Sequence, residues 1–389
     1  MNFEFSTASR IIFGPGSVAR IGSLAAGFGN KALVSYGVPT NILFDFVDAL
    51  KKDGIEALPF FVEGEPTVEL VENGTYLARQ AGCDLVIGLG GGSAIDTGKA
   101  IAALLNNPGE LSDYLEVIGK GKALQHAGIP FIAVPTTAGT GAEVTQNAVL
   151  SAPVPDQSLN RVKVSLRSPL MLARLAIVDP ELTLGLPPAV TASTGLDALT
   201  QLIEPFVSNK TNPLVDAFCR EGMQRAARSL KNAFISGGDL ESRQDMCLAS
   251  LMGGLALANS KLGAAHGFAA PIGGRFPAPH GMICARLLPI VTRINLRALQ
   301  EREPHNPVRE RYVEISRILT GIPTADAEDG LRWIEDLVKD LQVPGLSIYG
   351  LAATDYPEVA ELASRASSMQ GNPIKLTNAE LIEVLQLAA

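Results

Sequence analysis

Short apolar runs alternate with segments of helical periodicity through the first half of the chain, which predicts a parallel sheet built from βα units. KALVSY (31–36) predicts a strand, and NILFDFVDALKKDG (41–54) predicts its helix, with Ile42, Phe46, Val47 and Leu50 on one face. DLVIGLG (84–90) is the next strand and AIDTGKAIAALLN (94–106) its helix, followed by the buried strand PFIAVPTTAG (130–139). A hairpin is expected over 148–167, and LAIVDP (175–180) reads as the last strand. From about Pro187 the apolar spacing becomes helical throughout, broken at Pro, Asn and Gly, with loops expected near Gly321, Pro344 and Gly371. The expected organisation is an α/β domain over 1–185 and an all-helical domain over 186–389.

GLGGGSAID (88–96) follows a strand and opens a helix, so its glycines would let backbone N–H groups approach a pyrophosphate, with Ser93 as N-cap. It departs from GxGxxG, because Ser93 occupies the third glycine position, and a plain strand-to-helix turn would give the same pattern. PTTAGTGAE (135–143) places Thr136, Thr137, Thr140 and Gly141 directly after a second strand, where ligands of open α/β sheets lie. A helix start capped by Thr140 and Glu143 is the competing structural explanation.

Asp197 and Gln201 are one helical turn apart and face the same way. His266 and His280, two of only four histidines, flank a Gly- and Pro-rich bend that allows two helices to converge. A carboxylate and two imidazoles beside a dinucleotide would form a metal site able to hold an alkoxide during hydride transfer. Arg275, in the bend, is expected to face solvent.

Composition narrows the class. With 389 residues, 47% hydrophobic and 19% charged, the chain is globular and long enough for two domains. A net charge of −8 and the absence of basic runs argue against nucleic acid or a membrane surface as partner and favour a small molecule. The four cysteines, Cys83, Cys219, Cys247 and Cys284, form no CxxC pair and are expected to be reduced and buried. No signal peptide is expected at the N-terminus, and the uncharged stretch from Met246 to Ser260 is too short to span a bilayer, so a cytoplasmic setting is expected.

FGPGSVARIG (13–22), GGGSAIDTGKA (90–100), PTTAGTGAEVT (135–145), VDPELTLGLPP (178–188), GLDALT (195–200), HGFAAPIGG (266–274), PHG (279–281) and SMQGNPIKLT (368–377) together resemble the iron-containing (group III) alcohol dehydrogenase family. Dehydroquinate synthase and glycerol dehydrogenase are more distant relatives of that family. The resemblance implies a dehydroquinate-synthase-like fold, with catalysis between an α/β dinucleotide domain and a helical metal domain, in a homodimer or larger assembly. It further implies that Gly91, Gly92, Ser93 and Asp96 contact NAD or NADP, that Thr136, Thr137 and Thr140 position phosphates and nicotinamide, and that Lys163 lies near the ribose. Asp197, His266 and His280 correspond to three ligands of iron or zinc, and Gln201 takes the place of the usual fourth, a histidine.

Two other positions depart from the family pattern. Ala270 stands where a histidine often assists proton transfer, and Gly37 ends the first nucleotide-contacting strand where NAD-preferring members carry an aspartate. The leading expectation is a metal-assisted, NAD(P)-dependent alcohol dehydrogenase or aldehyde reductase. The alternatives are a metal-independent enzyme like maleylacetate reductase, with His266, His280 and Gln201 as donors to an oxyanion, and a nucleotide-binding protein without catalysis.

Overall fold

The computed structural model describes residues 2–154 and 157–389. Their main sheet comprises β1 (Ile11–Phe13), β2 (Lys31–Tyr36), β3 (Glu56–Phe61), β4 (Leu85–Gly90), β5 (Phe131–Pro135) and β8 (Leu175–Val178). The strands between, β6 (Asn147–Val154) and β7 (Gln157–Arg167), form the antiparallel hairpin expected over 148–167, of which residues 155 and 156 lie outside the described residues. The main sheet runs β1-β8-β5-β4-β2-β3 with every pair parallel.

Strands β4, β5 and β8 are buried along their whole length, as their unbroken apolar sequences require when helices cover both faces. On one face Val34, Ile87, Leu89, Ile132 and Ile177 pack with Ile21 and with Leu43, Phe46 and Leu50 of the helix Thr40–Lys52. Leu43 takes the central position expected for Ile42, which is half-buried. The opposite face carries the helix Gly92–Leu105, whose start packs so closely that Ser35 Oγ donates to the Ala94 carbonyl at 2.9 Å.

By compactness the chain forms two units. One comprises Ser6–Thr137 and Gly141–Leu184; the other comprises the segment up to Phe5, Ala138–Thr140 and Gly185–Ala389. At the centre of the second unit is the helix Pro188–Val207, packed by Pro213–Ile235, Leu240–Ala258 and His280–Arg302. Breaks between its helices carry their own signals: Asn212 caps two N–H groups of the helix that follows it, Gly321 closes Val308–Thr320 in the left-handed region, and Asp326 and Thr377 form capping boxes. No helix among the described residues is long and apolar enough to cross a membrane.

Two family-like segments prove to be internal scaffolding. Buried Asp179 accepts hydrogen bonds from the backbone N–H groups of Gly16, Val18 and Glu181, which ties FGPGSVARIG to VDPELT within the α/β unit. Buried Lys99 likewise donates to the carbonyls of Ala142 and Asn147 and to Thr145 Oγ1, at 2.7, 2.8 and 3.0 Å.

Glu143, beside Lys99, is also buried. Burial pushes its carboxyl up to about 7 from an ordinary 4.5, only partly opposed by its own backbone N–H and by Lys99. A neutral Glu143 suits the fold below pH 4.5, and the folded state loses stability as pH rises from there through about 7. Glu143→Gln, which cannot ionise, is expected to flatten that fall and to gain up to about 3 kcal/mol on the native protein between pH 5 and pH 8. Denaturant unfolding of both proteins across this range checks it; parallel stability profiles count against an ionising Glu143.

Candidate functional site

The strand order reverses between β2 and β4, since the chain passes outward to β3 and returns on the other side of β2. Ligands of open α/β sheets bind outside the carboxyl ends of strands at such a reversal. Three turns meet there: Gly37 donates its N–H to the Leu89 carbonyl, and Thr136 donates to the Gly90 carbonyl, both at 3.0 Å. Gly90 makes the turn with φ of 153°, and a Cβ there would come within 2.8 Å of Ala94 Cβ and 3.0 Å of Gly37 N. At Gly91 a Cβ would meet only Thr137 Oγ1, at 3.4 Å, and Thr137 Cγ2, at 3.5 Å.

The helix after this loop starts at Gly92 with Gly91 as its N-cap and no side-chain cap. Ser93 therefore lies inside the first turn, correcting the expectation that it caps the helix. Its first N–H groups lack a side-chain acceptor, which is the arrangement that takes an anion. The Thr140–Glu143 cap is not formed either: a short 3-10 turn, Ala142–Val144, follows Gly141 in the left-handed region, without side-chain capping.

The other residues expected at the cofactor are engaged as follows. Asp96 Oδ2 accepts from Val149 N at 2.9 Å, its Oδ1 has no hydrogen-bond partner, and Lys99 Nζ is 3.7 Å away. Burial pushes its carboxyl up against the pull of Lys99. Lys163, almost wholly buried, pairs with Glu65 at 3.1 Å. Thr140 is counted with the helical unit, while Gly37, Gly91, Gly92, Ser93, Asp96, Thr136, Thr137 and Lys163 belong to the α/β unit.

In the helical unit Asp197, His266 and His280 converge. His266 Nε2 is 3.4 Å and His280 Nε2 is 3.9 Å from Asp197 Oδ1. Asp197 and Gln201 share a face of the helix Pro188–Val207, and the Gln201 amide nitrogen donates to Asp197 Oδ2 at 2.9 Å. His266 lies in the first turn of Ala264–Arg275, and His280 opens His280–Arg302. That last helix presses hard on the first, for a Cβ at Gly281 would lie 2.5 Å from the Ser193 carbonyl oxygen.

Burial alone would push the Asp197 carboxyl up, but the His266 imidazole 3.4 Å from its Oδ1 and the charge of His280 outweigh it and hold it below the ordinary range. At His266 burial opposes a charged ring, while Cys284, Asp197 and Glu204 together raise its pKa well above the ordinary value. Asp197 Oδ1, His266 Nε2 and Gln201 Oε1 are buried without a hydrogen-bond partner. Each such atom costs about 1–3 kcal/mol. A divalent cation among the oxygen and the two imidazole nitrogens satisfies two of the three at once, so the donor set fits a metal.

Glu204 is the functional residue that sequence reasoning missed. Buried on the Asp197 helix, it accepts from His266 Nδ1 at 2.7 Å and from the N–H groups of Gly263 and Ala265 at 2.9 and 2.7 Å. It therefore caps the His266 helix and holds the imidazole with its Nδ1 proton on the carboxylate and its Nε2 toward Asp197. Its signal in the sequence was an acid set into the apolar run LIEPF (202–206). Cys284, reduced and buried as expected, sits one turn after His280 with Sγ 3.8 Å from His280 Nε2. Cys83, expected buried, is partly exposed. Arg275 is exposed, as expected, and pairs at the surface with the carboxylates of Asp355 and Glu358.

These features define a parallel-sheet α/β unit and a helical unit with a buried carboxylate–imidazole cluster, and comparison with known proteins places the chain in a family of that architecture. Residues 8–180 match the iron-containing alcohol dehydrogenase family, and residues 191–389 match the C-terminal part of the Fe-containing alcohol dehydrogenase family. The chain belongs to the iron-containing alcohol dehydrogenase family. It is 34% identical over 382 residues to the choline dehydrogenase of Bacillus subtilis (strain 168), spanning 95% of this chain and 90% of that protein. The crystal structure of a 1,3-propanediol oxidoreductase superposes with a TM-score of 0.91 at 32% identity, covering all of both chains. Sulfoacetaldehyde reductase from Bifidobacterium kashiwanohense in complex with NAD+ superposes with a TM-score of 0.86 at 29% identity, covering 100% of this chain and 99% of that one.

Proposed function

We propose that this protein is a metal-assisted alcohol dehydrogenase or aldehyde reductase that uses NAD or NADP. The observation that carries this reading is the meeting of Asp197 Oδ1 and His266 Nε2, both buried without hydrogen-bond partners, beside His280. When bound, the nicotinamide supplies or takes the hydride and a divalent cation supplies Lewis acidity at the substrate oxygen. Asp197, His266 and His280 are the residues to hold the cation. Gln201, expected as a fourth donor, gives its amide nitrogen to Asp197 Oδ2 and so fixes the carboxylate. Glu204 fixes the His266 tautomer.

The α/β unit has the dinucleotide role in this proposal. Gly91 leaves room for backbone to approach a pyrophosphate at the uncapped start of Gly92–Leu105. Ser93, Thr136, Thr137 and Thr140 line the two loops as polar contacts, and Lys163 is assigned to the ribose. Asp96 acts chiefly through the hairpin, since one of its oxygens holds Val149 N. Homodimeric assembly and a cytoplasmic setting belong to the same proposal and rest on the family alone.

Cofactor choice turns on Gly37, which is exposed and brings no carboxylate to repel a 2'-phosphate. NADP(H) is expected to be accepted at least comparably with NAD(H) in steady-state assays over a panel of aldehydes. A Cβ at Gly37 meets only Val62 O at 3.7 Å and Ala94 Cβ at 3.8 Å, so a side chain fits. Gly37→Asp is then expected to shift preference toward NAD(H) by about tenfold or more. A native enzyme already strongly selective for NAD(H) contradicts the role given to Gly37, and no nicotinamide turnover with any aldehyde contradicts the enzyme itself.

A further inference from the structure

We infer that Cys284 supplies a thiolate as the fourth donor to the metal, making an Asp197–His266–His280–Cys284 site selective for zinc over iron. The inference rests on the metal reading above and goes beyond it by naming the fourth ligand and the kind of cation that ligand prefers. One donor atom from each of these four residues lies within 4.8 Å of every other.

The separations carry the argument. A tetrahedral zinc with Zn–S of about 2.3 Å and Zn–N or Zn–O of about 2.0–2.2 Å holds its donors about 3.3–3.6 Å from one another. Three of the six edges of such a tetrahedron are 3.4 Å (His266 Nε2 to Asp197 Oδ1), 3.9 Å (His280 Nε2 to Asp197 Oδ1) and 3.8 Å (Cys284 Sγ to His280 Nε2). Small inward movements close the set. Cys284 and His280 are four residues apart on one helix and so share a face, the spacing that lets one helix give two ligands.

The competing fourth donor is Gln201, but it turns its amide nitrogen, which cannot bind a cation, to Asp197 Oδ2, and its unpartnered Oε1 is turned toward Gly253. Cys284 is fully buried and in no disulfide, so its sulfur has neither solvent nor a cystine partner to satisfy it. Asp197 Oδ1 and His266 Nε2 are buried without hydrogen-bond partners, as donor atoms that face a cation would be. As the cation binds, the Cys284 proton passes to solvent and the metal takes its place on sulfur. Exchanging the imidazole expected at position 201 for a thiolate makes the set softer, which favours zinc and cobalt(II) over iron(II).

The test uses the full-length protein stripped of metal and titrated with cobalt(II). The expected result is visible ligand-field bands of a tetrahedral site together with a near-ultraviolet thiolate-to-cobalt charge-transfer band. Cys284→Ser is expected to keep the visible bands, lose the charge-transfer band and weaken zinc binding by at least about tenfold. Cys83→Ser is expected to change neither. If Cys284→Ser fails to fold, zinc-edge X-ray absorption on the unmodified zinc-loaded protein decides instead, by one sulfur at about 2.3 Å. Visible bands without charge transfer, or a zinc shell of nitrogen and oxygen alone, overturn the thiolate and leave the metal reading intact. No cobalt uptake at all overturns the metal reading itself. Equal retention of iron and zinc after equimolar competition overturns the selectivity.

Discussion

Asp197→Ala is expected to leave the purified protein without bound metal and to lower kcat/KM by at least about a thousandfold, equivalent to about 4 kcal/mol of transition-state stabilisation. The reason is geometric: Asp197 Oδ1 is the atom to which both His266 and His280 are close, at 3.4 and 3.9 Å, so its removal dismantles the cluster. A graded companion is Glu204→Gln. It keeps every donor but weakens the acceptor that holds His266 Nδ1 at 2.7 Å, and it is expected to reduce metal affinity by about 10–100-fold. Metal content by mass spectrometry, measured beside nicotinamide turnover before and after chelation, reads both variants. Full activity after chelation would falsify the metal mechanism. It would leave the alternative in which His266, its pKa raised between Asp197 and Glu204, donates to an oxyanion as a charged ring.

Two adjacent glycines are expected to fail in opposite ways. Gly91→Ala should raise the cofactor dissociation constant by at least about tenfold. Its Cβ meets only Thr137 at ordinary contact distance, so the melting temperature should move by less than about 3 °C. Gly90→Ala puts a side chain on a backbone with φ of 153° and drives its Cβ to 2.8 Å from Ala94 Cβ, so it should cost stability first, by about 1–3 kcal/mol. Cofactor titration by fluorescence and thermal unfolding, run on both variants, separate the two. Unchanged cofactor affinity in Gly91→Ala would return this loop to a mere turn between strand and helix.

How much of this was legible beforehand depended on whether a residue's role is local. Strands β4, β5 and β8 announced themselves because strands covered on both faces must be apolar throughout, and β2 through its short apolar run of Ala32, Leu33 and Val34. Edge strand β3 was missed: only Phe60 of its six residues is buried, and Pro59 interrupts it. Three-residue β1 is too short to carry a pattern. The helix Val68–Ala81 also escaped, although Thr67 caps it.

The carboxylate–imidazole cluster divides along the same line. Asp197, His266 and His280 stood out because imidazoles are scarce and glycines surround them, which is a property of the sequence. Glu204 and Cys284 matter because of what they touch, 62 residues away at His266 and one turn away at His280. Spacing alone gives no reason to prefer these two over any other acid or thiol. Ser93 failed for a subtler reason. The helix begins two residues earlier than its polar side chain suggests, because Gly91 can itself serve as N-cap.

The threading of the chain has a consequence for engineering. The polypeptide leaves one compact unit for the other after Phe5, after Thr137, after Thr140 and after Leu184. Gly139, in the shortest of these excursions, lies so close to Thr194 that a Cβ on it would stand 2.7 Å from the Thr194 Cβ. The helical unit is therefore completed by residues encoded far upstream of its main body, and a fragment starting at Gly185 lacks two of its three pieces. A chimera joined to a relative at a single point near residue 185 combines two parents inside one packed body, so clean exchange of the helical unit requires four junctions.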